Sequence, residues 1–208
     1  MKLFQNAMSP PCRRVLAVLH HLNMPVELQS VDFQSGEMEK PDYKKMNPNG
    51  SVPLLQDGDF HLWESTAIMQ YLCEKKGNTE LYPNDAKSRA DIARWMAWSN
   101  CHFGPAAGTI VWENFVKPMF TKEATDADEV KTATVDFHKY AKVMNSCLEG
   151  KPFLTGKTVS IADYALAANL MYAEPGRLPL GDYPNINAWY KRIEGLDGWK
   201  KSAPPTAK

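Results

Sequence analysis

The chain has 208 residues, enough for one large or two small domains with a sizeable core. Its 24 Lys and Arg balance 24 Asp and Glu without a long single-sign block, so composition gives no support for a nucleic-acid or anionic-membrane partner and favours small-molecule chemistry. No apolar run approaches the roughly 20 residues of a membrane helix, and Met1 to Cys12 lacks the apolar core of a signal peptide, which points to a cytoplasmic protein with no membrane partner.

In chain order, Lys2-Leu3-Phe4 starts an apolar strand that breaks at Met8-Ser9-Pro10-Pro11, and Val15, Val18, Leu19 and Leu22 then recur with helical spacing. Two prolines suit a helix start, where the first N–H groups lack partners in any case. Val26, Leu28 and Val31 indicate a second strand after Asn23-Met24-Pro25. The polar, punctuated stretch from Gln34 to Met46 reads as a loop with one irregular turn. Val52 to Gln56 and Phe60 to Trp63 bracket Asp57-Gly58 as a hairpin, and a helix from about Ser65 to Lys76 stops at Gly77-Asn78. Residues 1–77 therefore read as a small α/β unit, and 78–85, containing Leu81-Tyr82-Pro83, as a linker. Amphipathic helices are predicted beyond it at roughly 86–117, 126–149, 160–173 and 184–194, which makes 86–208 an all-helical domain. Gly104-Pro105 and Gly108 predict a kink in the first of these, because proline removes a ladder bond and clashes one turn back.

The run Asn47-Pro48-Asn49-Gly50-Ser51-Val52-Pro53-Leu54-Leu55 carries the most chemistry. Proline normally spoils a strand, so Val52-Pro53 at the head of an apolar one suggests a cis bond at an irregular strand start. The N–H and C=O of Val52 then stay outside the ladder and can pair with the backbone of a small extended ligand. Glu64 and Ser65 bring a carboxylate and a hydroxyl to the first free N–H groups of a helix, where a ligand carboxylate is stabilised. Together these features read as a site for a small peptide bearing an ammonium and a carboxylate.

These runs resemble the glutathione transferase family. Its N-terminal thioredoxin-like domain holds glutathione through a Val/Ile-Pro cis bond and a Glu/Gln-Ser pair at the start of its third helix. Ser9-Pro10-Pro11-Cys12-Arg13-Arg14-Val15 is similar to the Ser-x-x-Cys-Arg segment of serine-type members, including theta, delta and related bacterial forms. Ser160-Ile161-Ala162-Asp163-Tyr164 is similar to the family's capping box. Four separated motifs in the right order span essentially the whole chain. The resemblance implies an α/β thioredoxin-like domain followed by an all-α domain that contributes the electrophile site. It also implies glutathione as co-substrate, a hydrophobic electrophile as the second substrate and a homodimer.

On this basis Ser9, at a strand-to-helix junction, is the expected donor to the glutathione thiolate, though by residue type alone an ordinary N-cap is the commoner reading. Taking a thiol from a pKa near ~8.5 to ~6.5 needs about 2.7 kcal/mol, and a hydrogen bond to a charged group supplies roughly 1.5–3 kcal/mol. Cys12 is the rival: in the first helical turn beside Arg13 and Arg14, it has surroundings that depress a thiol pKa and would suit a glutathione-dependent thiol transferase or reductase. A glutathione-transferase-like interaction module without turnover is the third reading. Lys40 is expected near the glycine carboxylate of glutathione, alongside Val52, Pro53, Glu64 and Ser65; its alternative is a solvated surface lysine. Pro11, Trp98, His102, Phe103 and Trp112 are the expected electrophile pocket, although aromatics at such spacing are more often core. No metal is expected, because His20 and His21 are adjacent and cannot share a helix face. Cys12, Cys73, Cys101 and Cys147 likewise lack zinc or disulfide spacing.

Overall fold

A computed structural model of the chain describes residues 1–77 and 80–204. It divides into two units, one formed by Met1–Pro83 with the residues from Gly195 onward, the other by Asn84–Glu194. The first unit runs β1 (Lys2–Gln5), α1 (Pro10–His21), β2 (Glu27–Ser30), a 3-10 turn (Glu37–Glu39), α2 (Pro41–Met46), β3 (Leu54–Asp57), β4 (Phe60–Trp63) and α3 (Ser65–Lys76). The strands form one mixed sheet of order β2-β1-β3-β4, with β1 and β2 parallel and the other pairs antiparallel.

Successive side chains of a strand point to opposite faces, and both faces of this sheet are covered. Leu54 and Leu55 are each fully buried although they are neighbours in one strand. On one side lie α1 and α3, contributing Val15, Val18, Ile68, Met69 and Leu72 to the core. On the other, Tyr43 of α2 meets Phe4 edge to face at 5.8 Å. The second face explains why the stretch from Gln34 to Met46 is not a loop: it holds the six-residue helix α2. Only Tyr43 is buried in that helix, so its sequence carries no apolar period, and Pro41 at its start is the one local signal.

The hairpin forms around Gly58-Asp59, one residue later than Asp57-Gly58, with Gly58 at φ 61°. Helix α3 ends on Gly77 at φ 68°, a left-handed cap that glycine adopts without a Cβ clash. Asn78, the other half of the expected stop signal, and the start of the 78–85 linker lie outside the described residues.

In the second unit the expected long helix spans α4 (Ala86–Trp98), α5 (Gly104–Val111) and α6 (Lys117–Thr121). These are joined by π-helical turns at Ser99–Phe103 and Trp112–Val116. Each π turn directly precedes a segment with proline in its first positions, Pro105 and Pro118. A proline cannot donate to the carbonyl four residues back, and widening the preceding turn accommodates the lost bond. Then follow α7 (Ala127–Cys147), α8 (Ile161–Ala167), a 3-10 turn (Ala168–Leu170) and α9 (Pro184–Glu194). Ala133, Phe137, Ala141 and Met144 form the buried stripe of α7, spaced as an amphipathic helix requires. The Ser160–Asp163 box is present. Asp163 Oδ2 accepts the backbone N–H of Ser160 at 2.8 Å and its hydroxyl at 2.9 Å, while Oδ1 accepts from Leu154 N–H at 2.9 Å and Trp189 Nε1 at 2.8 Å.

The last helix, α10 (Asp197–Lys201), packs on α1 in the first unit, where the sequence expectation carries the helical domain from 86 to the end. Its five residues are too few to show a period. The buried partners that place it, Gly198 and Trp199, act through contacts distant in sequence. Among the described residues no helix is long and apolar enough to cross a membrane.

Candidate functional site

Sheet register gathers the candidate residues of the first unit. Phe4 pairs with Leu54 and Leu54 with Trp63, so the chain leaving β1, entering β3 and leaving β4 does so at one end of the sheet. Gln5 pairs with Ser30, which brings the chain leaving β2 to the same end. Ser9, Val52-Pro53 and Glu64-Ser65 follow or precede those strand ends directly, and Lys40 lies in the connection after β2.

The Val52-Pro53 bond is cis, and Val52 falls outside the strand register. Its position is fixed by the preceding turn. The Tyr43 hydroxyl and Asn47 Nδ2 both donate to Ser51 O, at 2.8 and 2.7 Å, while Asn47 Oδ1 accepts from the backbone of Asn49 at 3.1 Å. Asn47 is fully buried. Burial raises the Tyr43 hydroxyl above its usual range, which keeps it a donor. The organising role of Asn47 goes beyond its place in the Asn47–Leu55 run, and its local signal is the Asx-turn pattern Asn-Pro-Asn-Gly.

The two helix starts differ in the hydrogen-bond donors they present. At α1, Pro10 and Pro11 carry no N–H, and the next N–H, from Cys12, donates to Ser9 Oγ at 3.4 Å. Ser9 is thus an N-cap, and that helix end offers no free backbone donor in its first three positions; what remains there is the proton of the Ser9 hydroxyl. At α3 the N-cap residue Glu64 makes no side-chain cap, so the N–H groups of the first turn stay open to an anion. Glu64 itself sits at φ 70°, ψ 108°, a strained backbone for a residue with a Cβ, and its side chain is exposed while Ser65 is buried. Arg14, buried in α1, has its guanidinium lowered to about 10 by burial, with Glu64 opposing the shift. It remains a cation at neutral pH.

Cys12 is placed differently from the expectation of a reactive thiol. It is fully buried, accepts the Asn6 N–H at 3.4 Å, and is pushed up to about 11 by burial, which outweighs the Asn6 and Ser9 hydrogen bonds and the charge of Arg14. Lys40 is exposed between the 3-10 turn and α2. Lys44 pairs with Glu39 at 2.5 Å and Lys45 with Asp42 at 2.9 Å, whereas Lys40 makes no ion pair among the described residues. Pro11 is half-buried in the first turn of α1.

In the second unit, Trp98 stacks on Phe103 at 5.7 Å and meets Tyr140 at 6.0 Å, and His102 lies 5.2 Å from the same Tyr140 ring. Trp98 is half-buried and His102 exposed, but Phe103 is fully buried against Phe137 at 5.3 Å. Phe103 is therefore a core residue of the helical unit and lines no open surface there. Trp112, 46% exposed on the second π turn, is not among the ring contacts of this cluster in the described residues. Tyr140, which joins Trp98 to His102, lies on α7 and had no sequence signal.

Comparison with known proteins is consistent along the chain. Residues 8–75 match the glutathione S-transferase N-terminal domain and residues 106–197 the glutathione S-transferase C-terminal domain. A probable glutathione S-transferase GSTF2 of Oryza sativa subsp. japonica is 32% identical over 98% of this chain and 95% of its own length. The theta-1 glutathione S-transferase of Rattus norvegicus is 29% identical over 95% of this chain and 84% of its own. Among solved structures, glutathione transferase F7 of Populus trichocarpa superposes with a TM-score of 0.89 at 27% identity, covering 97% of this chain and 96% of that one. With its thioredoxin-like unit, its helical unit and full-length similarity to both kinds of relative, the chain belongs to the glutathione S-transferase family.

Proposed function

We propose that this glutathione transferase conjugates reduced glutathione to hydrophobic electrophiles, with Ser9 as hydrogen-bond donor to the thiolate. The observation that carries the reading is the contrast between the two helix starts. At α1 the prolines and the cap consume the backbone donors and leave one hydroxyl proton, which suits a sulfur anion; at α3 the uncapped N–H groups suit a carboxylate. Val52, through its backbone, together with Pro53, Glu64 and Ser65, holds the peptide, and Lys40 supplies a cation for its second carboxylate. The thiol proton passes to water, the thiolate forms the new bond to an electrophilic carbon, and the leaving group departs with its electron pair. No covalent enzyme intermediate and no metal is needed; catalysis is activation plus proximity. Trp98, His102 and Trp112 are the electrophile-site candidates of the helical unit, and Pro11 is the candidate of the first unit. Family membership supports a cytoplasmic homodimer.

The thiol-transferase reading is disfavoured by Cys12, whose burial and raised pKa leave it protonated at neutral pH. Replacing Ser9 by alanine should raise the pKa of bound glutathione by about 1–2 units, equivalent to about 1.4–2.7 kcal/mol. Cys12→Ala should retain most conjugating activity. The assay is ultraviolet titration of the bound thiolate with pH–rate profiles. A wild-type profile for Ser9→Ala beside an inactive Cys12→Ala would overturn the assignment.

A further inference from the structure

Arg13 and Trp199 come from opposite ends of the sequence and meet in the first unit. The Arg13 guanidinium lies 3.9 Å over the Trp199 ring, with the two residues 8% and 2% exposed. Helix α10 approaches α1 this closely because residue 198 is glycine: a Cβ there would stand 2.6 Å from Ala17 O and 3.1 Å from His21. Arg13 is also the residue whose backbone N–H closes the first turn of α1 on Ser9, donating to Ser9 O at 2.9 Å. Pro10 and Pro11 contribute no such bond, and the Cys12 bond to Ser9 Oγ is long at 3.4 Å. Two short backbone bonds therefore fix Ser9: its own N–H donates to Asn6 O at 2.9 Å on the loop side, and the Arg13 N–H ties it to the helix, where the side chain of that donor residue is stacked on an indole.

We propose that Trp199 is a positioning residue for catalysis. Stacked on Arg13, it holds the first turn of α1 in the orientation from which the Ser9 hydroxyl reaches the glutathione sulfur. The inference rests on the assignment of Ser9 above. A hydrogen bond weakens steeply as its angle departs from linear, so a small rotation of that turn lowers thiolate stabilisation while the peptide contacts at Val52 and Ser65 persist.

Trp199→Leu removes the aromatic face and leaves the Arg13 charge in place. It should raise the thiol pKa of bound glutathione by about 0.5–1 unit, roughly 3–10-fold less thiolate below that pKa, with kcat at neutral pH falling in step and KM for glutathione near wild type. Trp199→Phe keeps a stacking face and should restore the wild-type pKa. Because a lost indole also leaves a cavity, Arg13→Lys is the second variant: it retains the charge, loses the planar stack and should show the same shift. Wild-type thiol pKa values in Trp199→Leu and Arg13→Lys, whatever their melting temperatures, would overturn the proposal. If Ser9→Ala also leaves the pKa unmoved, the Ser9 assignment falls with it; if Ser9→Ala moves the pKa and the other two do not, only the positioning role falls.

Discussion

Replacing Asp163 by asparagine changes one atom in the most heavily bonded buried carboxylate of the helical unit. Four donors converge on it, two on each oxygen, and the residue is fully buried. Burial pushes its carboxyl up, and the hydrogen bonds oppose that shift. An asparagine must turn its NH2 toward one of the two pairs. Toward Leu154 and Trp189 it would oppose two N–H donors that cannot reverse. Toward Ser160, the hydroxyl can rotate to accept, and only the backbone N–H is left unpaired. The second orientation is therefore selected, and one orphaned buried donor costs about 1–3 kcal/mol. Alanine offers no acceptor, leaves the N–H groups of Leu154, Ser160 and Trp189 unpaired, and should cost about 3 kcal/mol or more. At roughly 2–4 °C per kcal/mol for a chain of this size, Asp163→Asn should melt about 2–12 °C below wild type and Asp163→Ala lower still. Thermal and urea denaturation of the three proteins measure this. Equal destabilisation by asparagine and alanine, or none by either, would refute the donor accounting.

Glu113 provides a pH test: the Asp126 N–H, then Lys117, hold its carboxyl below its ordinary value of 4.5. A depressed folded-state pKa contributes stability that is complete above the unfolded value and is lost as pH falls through the folded one, so Glu113→Gln should flatten the acid limb of stability against pH, and superimposable limbs would contradict it. Thiol labelling at neutral pH should modify exposed Cys101 well before Cys12 and Cys73, which burial pushes up to about 11 and about 12; mass spectrometry showing Cys12 labelled first would refute the burial argument.

Several parts of the fold follow from residues only a few positions apart. Gly77 with its left-handed φ, the Ser160–Asp163 box and Pro10-Pro11 behind Ser9 each satisfy or remove backbone donors locally, so their outcome is written in short stretches of sequence. The cis Val52-Pro53 bond and the start of α3 at Ser65 were legible for the same reason. Other features depend on partners brought from far along the chain. Arg14 lies two residues from Cys12 and argued for a reactive thiol; packing removed that sulfur from water, and desolvation outweighed the neighbouring charge. Phe103 and His102 are adjacent, yet Phe137 encloses the first while the second stays exposed. Tyr43 makes a helix of a polar segment because Phe4 waits on the sheet, and α10 joins the first unit because Arg13 and Gly198 let Trp199 dock on α1. Sequence determined where backbone hydrogen bonds begin and end, since those bonds form between near neighbours. Tertiary structure decided which side chains lose water, because desolvation depends on whatever the remainder of the chain places against them.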